Sequence, residues 1–397
     1  MRNYPIYSRT TFKSNPLTFS VMAVTVIFLM LWSLRPWFLW GVNTVVVSVV
    51  AAFCLFFCIG DRLKKAFFEH YCLVIIFFVL STYWNIENGF GRLQIPFIIA
   101  LAMNNSEKKR LLIWWTNFYA TILVISLIAW LLTWTGLLPN YGTISSTAQN
   151  HIYTNYIFCL KGFIYVYRFH SVFLEPGHVA MIAVFTLYAN KFNFRKPAVL
   201  ALLICTLFTL SLAGYVLLLM GFIFCRIQKT KFSWILIKNT LVVLFILGGI
   251  ILGGKSYNGG RNLLNELIFE RLEFDEDKGF SGNNRFSRQT DILFERAFKT
   301  GEIVSGMSSE KYKRLHDLDD IHGAGYKLYM LERGIIGTVL IFLFYFFLYR
   351  ASVDKKFVLG MLILYILAFL QRSYPFWYSW LFLFLFTTSV SPTIKEG

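Results

Sequence analysis

Of the 397 residues, 57% are apolar, 19% aromatic and only 15% charged. No soluble fold can hide that much apolar surface, so lipid is the solvent for most of the chain. The formal net charge of +17 would suit a nucleic-acid partner only if it gathered in one patch, and it does not.

At the N-terminus, Arg2, Arg9 and Lys13 precede an apolar stretch from Leu17 to Leu34. That stretch is too long for the core of a secretory signal and lacks an Ala-x-Ala cleavage site, which predicts a retained first span. A window of about 19 residues then finds apolar runs at 17–34, 37–60, 67–84, 92–103, 111–137, 174–190, 197–210, 213–225, 233–253, 327–349, 357–371 and 376–390.

With the N-terminus inside, the inner connections hold Arg2/Arg9/Lys13, Arg62/Lys64/Lys65, Lys108/Lys109/Arg110, Lys191/Arg195/Lys196, Arg226/Lys229/Lys231 and Arg350/Lys355/Lys356. The short outer connections hold Arg35, Arg92 or Arg372 alone, and residues 254–326 carry eleven basic against thirteen acidic residues. The charge therefore marks topology, with Lys and Arg kept on the cytoplasmic side. Reading 197–226 as one helix would put two basic triplets outside, so a break is expected near Ser211-Leu-Ala-Gly214, although thirteen residues rise only about 20 Å against a hydrocarbon core of about 30 Å.

These signals predict an all-α polytopic integral membrane protein of about twelve transmembrane helices with one large outer-face loop. Residues 1–253 hold helices one to nine with an outer loop near 138–173, residues 254–326 form the large extracytoplasmic loop, and residues 327–397 hold the last three helices and a short tail, with both termini cytoplasmic. Within the large loop, Leu263, Leu264, Leu267, Ile268 and Leu272 recur at helical spacing, as in an amphipathic helix lying on the membrane or the bundle.

Five of the six cysteines, Cys54, Cys58, Cys72, Cys205 and Cys225, fall in apolar runs and behave as small buried hydrophobes. No phosphate-binding Gly-Lys-Ser/Thr loop, dinucleotide fingerprint, paired CxxC or HExxH is present, so nucleotide hydrolysis and zinc-motif chemistry have no support.

What remains are ionisable residues near the outer face. In Arg168-Phe-His170-Ser-Val-Phe-Leu-Glu175-Pro-Gly-His178, four such groups crowd the start of a span, where charge is costly unless it pairs or binds something. Arg168 can grip an anion with its planar fork, and Glu175 or His178 can take a proton from a hydroxyl. The plainer alternative is a structural Arg168–Glu175 ion pair with both histidines facing water.

Arg285, Arg288 and Arg296 fall within about 80° of one another if 285–298 is helical, at about 100° per residue, and suit a di-anionic phosphate. Surface pairing with Asp291 and Glu295 is the alternative. His322, before the next span, can serve as base or phosphate partner near neutral pH, or be satisfied by Asp319 or Asp320. A metal site from Asp317, Asp319, Asp320 and His322 is the weaker reading, since solvated charge is far commoner.

Three segments carry a resemblance: Arg168...Phe173-Leu-Glu175-Pro-Gly before a span, Ser211-Leu-Ala-Gly214 between two short spans, and His322...Glu332-Arg-Gly-Ile-Ile-Gly337 after a long outer loop. In order, spacing and topology from about residue 165 to 345 the chain resembles the O-antigen and capsule polymerase (Wzy-type) family and its relative, the O-antigen ligase. It departs from the ligase-like pattern after His322, where Gly323-Ala324-Gly325 stand in place of a second polar residue.

The resemblance implies glycosyl transfer on the outer leaflet of a bacterial cytoplasmic membrane, polymerising repeat units carried on undecaprenyl pyrophosphate. The substrate would be the undecaprenyl-pyrophosphate-linked oligosaccharide, with membrane lipid around it, a chain-length regulator protein as a further partner, no nucleic acid, no cofactor and no metal. Arg168 and some of Arg285, Arg288 and Arg296 would then neutralise the leaving pyrophosphate, with His178 beside the substrate. Glu175 would be the first choice of base and His322 the second. A ligase for lipid-linked glycans uses closely related chemistry, and a flippase for the same lipids is the reading from a different class, expected to place its charges near the membrane midplane.

Overall fold

The computed structural model describes residues 16–54, 94–146, 151–229, 288–307, 309–317, 325–372 and 377–390, with short pieces at 256–262, 274–275 and 279–280 and single positions between them. The candidate spans at 67–84 and 233–253, the amphipathic stretch of Leu263 to Leu272, and the candidate site residues Arg285 and His322 lie outside the described residues or on isolated positions.

The described chain is mostly helical. Its helices are α1 (Pro16–Ser33), α2 (Thr44–Cys54), α3 (Gln94–Ala102), α4 (Asn105–Leu132), α5 (Pro176–Ala189), α6 (Pro197–Phe208), α7 (Leu212–Lys229), α8 (Arg288–Thr300), α9 (Ser309–Asp317), α10 (Tyr326–Arg350), α11 (Lys355–Gln371) and α12 (Tyr378–Thr388). Three of them, α1, α4 and α10, are long and apolar enough to cross a membrane. Their boundaries follow local chemistry. At α4, Asn104 accepts from the Glu107 N–H at 2.9 Å while the Glu107 carboxylate accepts from the Asn104 N–H at 3.0 Å, a reciprocal cap on two otherwise orphan donors. Helices α5 and α6 each open on proline, which fixes the first helical φ and has no N–H to leave unpaired.

Helix α5 lies at the centre, packed against α6, α7, α11 and α12. Every residue from Val179 to Ala189 is buried, as are all eleven of α12. A helix that is apolar all round belongs inside a bundle, and at about 1.5 Å per residue α5 is about 21 Å long. The expected break between the seventh and eighth runs is present: α6 ends at Phe208, Leu210 takes φ of 45°, and α7 starts at Leu212. The Ser211 hydroxyl accepts from the Gly214 N–H at 3.3 Å, and a Cβ on Gly214 would stand 2.5 Å from the Ala180 Cβ. Only glycine lets the first turn of α7 come that close to α5.

The segment expected as an outer loop near 138–173 contains a three-stranded antiparallel sheet in the order β1 (Thr143–Ser146), β2 (His151–Asn155), β3 (Leu160–Gly162). The all-helical expectation is corrected here. Tyr153 and Asn155 are buried while Ile152 and Thr154 beside them are not, a strand alternation too short to stand out among aromatic residues in the sequence.

Helix α10 is interrupted at Gly334, whose φ of 71° and ψ of 177° are non-helical. The loop 301–307 fits into that break. Gly306, at φ of 83°, crosses so closely that a Cβ there would lie 2.6 Å from the Gly334 nitrogen, and a Cβ on Gly334 would lie 2.4 Å from the Val304 oxygen. The Met307 N–H reaches the Leu331 carbonyl at 2.7 Å, satisfying an acceptor that the break would otherwise leave open. A small core of Ala297, Ile303, Met307 and Leu331 holds α8 and this loop to α10.

Candidate functional site

The segment 168–175 is fixed by its backbone before any of its charges act. The Leu160 N–H bonds the Ser171 carbonyl at 2.8 Å, the Trp37 N–H the Val172 carbonyl at 3.0 Å, and the Tyr153 hydroxyl the Leu174 carbonyl at 2.9 Å. His170, wholly buried, completes the anchorage. Its Nδ1 lies 2.6 Å from the Phe173 carbonyl, which can only accept, and its Nε2 accepts from the Gly162 N–H at 3.2 Å. Acceptance at Nε2 requires the neutral ring, with its proton on Nδ1. Burial pushes the imidazole down to about 4; the Phe173 bond opposes the shift, Arg168 adds to it and Glu175 opposes it. The plainer alternative, in which this histidine faces water, does not hold, since the ring is buried and ties the sheet to the approach of α5.

That platform delivers Glu175 to the N-terminus of α5 as an extended, buried cap residue. Its carboxylate is gripped by both terminal nitrogens of Arg372, with Nη1 at 3.3 Å from Oε1 and Nη2 on Oε2. The Nε2 of His178, one turn along α5, stands 3.8 Å from Oε2. Arg372 caps the C-terminal end of α11, so the two charges of the pair come from chain positions 197 residues apart.

Arg168 also reaches the end of another helix. Its Nε donates to the Thr209 carbonyl at 3.2 Å, at the end of α6, and its guanidinium carbon lies 5.4 Å from the centre of the Tyr165 ring. An arginine that pairs with Glu175 is Arg372. Tyr165 is also close enough to Arg372 to bear on its charge.

Beyond Arg372, Tyr374 and Trp377 stack with ring centres 4.9 Å apart and planes 13° from parallel. The His178 ring meets Trp377 edge to face at 4.6 Å. Tyr374 bears on half-buried Tyr312 of α9, whose phenol burial pushes above its usual range, with Glu332 adding to the shift, Arg333 opposing it and Tyr374 adding to it. Glu332 and Arg333 pair at 2.5 Å just before the break in α10. One end of the bundle thus gathers the start of α5, the end of α6, the start of α7, the end of α11 and the start of α12.

Of the predicted site residues, Glu175, His178 and Arg168 come to this region together. Arg288 and Arg296 lie on α8 as expected from the spacing, and both are exposed. Of the two acidic residues named as their surface partners, Asp291 and Glu295, Asp291 bonds Lys327 of α10 at 2.8 Å. Arg372 was read in the sequence as a topology charge; its isolation between two apolar runs, where charge is costly, was the signal that could have found it. Among the described residues, no group of three or more His, Cys, Asp or Glu is placed to hold a metal ion.

Comparison with known proteins finds no matching family model, no similar curated protein and no similar solved structure.

Proposed function

We propose that the chain is a polytopic glycosyltransferase of the bacterial cytoplasmic membrane, polymerising oligosaccharide repeat units carried on undecaprenyl pyrophosphate. The observation that carries this reading is the buried Glu175–Arg372 pair, with His178 against it and Arg168 nearby, at a convergence of helix ends. A carboxylate and an arginine are costly there, and such groups mark sites of use.

The chemistry needs a base for the attacking sugar hydroxyl and cations for the leaving group. The hydroxyl oxygen of the acceptor unit forms a bond to the anomeric carbon of the lipid-linked glycan, the bond from that carbon to the pyrophosphate oxygen breaks, and the hydroxyl proton passes to the Glu175 carboxylate. Undecaprenyl pyrophosphate departs with the bonding electron pair. Arg372 is shared in this scheme: an arriving pyrophosphate competes with Glu175 for its planar fork, so substrate binding frees the base where it is needed. Arg168 supplies a second cation.

The test is reconstitution of the purified chain in detergent with its native lipid-linked repeat unit. A ladder of longer glycans with release of the free carrier is expected. Transfer to a lipid core acceptor without a ladder would make it a ligase, and neither product from folded protein would overturn the enzyme reading. Removing a general base lowers rates by about 10²–10⁴, so Glu175→Gln should suppress the ladder by at least about 100-fold.

A further inference from the structure

We infer that the stacked pair Tyr374–Trp377 is a sugar-ring subsite beside the reacting centre, an inference that rests on the glycosyl-transfer reading above. The two rings sit in the short connection from α11 to α12, immediately after Arg372. Both are only partly buried. The Trp377 N–H bonds the Tyr374 carbonyl at 3.1 Å, so a tight turn sets the stack. The Pro375 carbonyl within that turn accepts from the Tyr345 hydroxyl of α10, which ties the turn to the bundle.

The surroundings select the ligand. An aromatic face is electron-rich, and the apolar face of a pyranose carries polarised C–H bonds that stack on it, while the ring's hydroxyls project outward to polar partners. Here such partners stand beside the stack. The His178 ring meets Tyr374 at 6.2 Å and Trp377 at 4.6 Å, and His178 stands against the Glu175–Arg372 pair. An acyl chain, the other ligand that aromatic residues at a membrane face take, gains nothing from a platform beside an ion pair and loses by desolvating it. A sugar ring uses both features.

The geometry also gives the subsite a place in the reaction. Arg372 holds Glu175 and directly precedes the Tyr374–Trp377 turn, so a ring on the platform has its hydroxyls within the same cluster as the base and the pyrophosphate-binding guanidinium. The platform therefore holds the sugar adjoining the bond that is made or broken. It discriminates a sugar-bearing carrier from a bare one.

Binding of two probes to the full-length protein in detergent tests this: the native undecaprenyl-pyrophosphate-linked repeat unit, and undecaprenyl pyrophosphate with no sugar. The wild type should bind the sugar-bearing lipid about tenfold or more tightly than the bare carrier, a difference of about 1.4 kcal/mol. Tyr374→Leu and Trp377→Leu keep apolar bulk in the turn; they should lose that preference, leave affinity for the bare carrier unchanged and raise KM in the ladder assay more than they lower kcat. Tyr374→Phe, which keeps the ring, should retain the preference. Leucine variants that still discriminate, in a protein whose wild type makes a ladder, would overturn the platform and leave the polymerase standing. A wild type that binds neither probe and makes no ladder would remove the parent reading, and the platform with it.

Discussion

Two regions carry arginines that could meet an anion, and they are built in opposite ways. Around Glu175 the charges are buried, cross-braced and supplied by distant parts of the chain, and the backbone that presents them is held by three carbonyls and a histidine. On α8 the arginines lie on an exposed face, and the helix is held from behind by Ala297, Ile303 and Met307. Reactive geometry needs the first kind of support, because a buried charge keeps one position and a surface charge samples many. The α8 face is suited to attracting an anion, and the Glu175 cluster to acting on it.

The largest effect that separates the two regions should come from Arg372→Ala. It leaves the Glu175 carboxylate buried without its partner, a loss of about 3–5 kcal/mol that thermal unfolding in detergent will read, together with loss of the glycan ladder. Pairing it with Glu175→Gln should recover much of the stability and none of the activity. Arg372→Ala with unchanged melting would break the contrast.

His170 gives the next effect, through pH. Its ring, ordinarily titrating near 6.5, is held neutral in the fold down to about 4, so the unfolded chain binds more protons between those values. The stabilisation is complete above about pH 6.5, falls as pH drops toward 4 and is fully lost below it, amounting to roughly 3 kcal/mol. Melting followed from pH 7 to 4 should show that slope, and His170→Gln should flatten it.

Smaller again, Gly334→Ala or Gly306→Ala places a Cβ against backbone at a positive φ, and should cost at least about 1–2 kcal/mol. Protease susceptibility within 301–307 should rise as the loop leaves the break in α10, sharpening the view that α8 is docked as a unit. The smallest effect belongs to Arg288→Ala and Arg296→Ala, which should change stability by less than about 0.5 kcal/mol. The ladder assay should show a raised KM for lipid-linked substrate at low salt that fades as salt screens the face.

Much of the helical order was legible in advance because apolar runs of helical length leave the chain few choices in or near lipid. The break at Ser211-Leu-Ala-Gly214 followed from charge on either side of it, and Gly214 lies where α7 meets Ala180. The sheet of residues 143–162 was not legible: its strands are three to five residues long and their alternation is masked by aromatic side chains. The site was half visible. Glu175, His178 and Arg168 announced themselves by standing at the start of an apolar run, but the local spacing gave no sign of Arg372.

By itself the sequence determined the apolar helices, the places where the chain must turn and the cluster of titratable groups before α5, because each depends on neighbours within a few turns. Only the tertiary structure decided that His170 is a neutral tie between sheet and helix, that Arg372 reaches Glu175 across 197 positions, and that Gly306 meets Gly334 in the broken α10. Those pairings are set by which helix ends pack together, and packing joins residues whose separation along the chain carries no record of it.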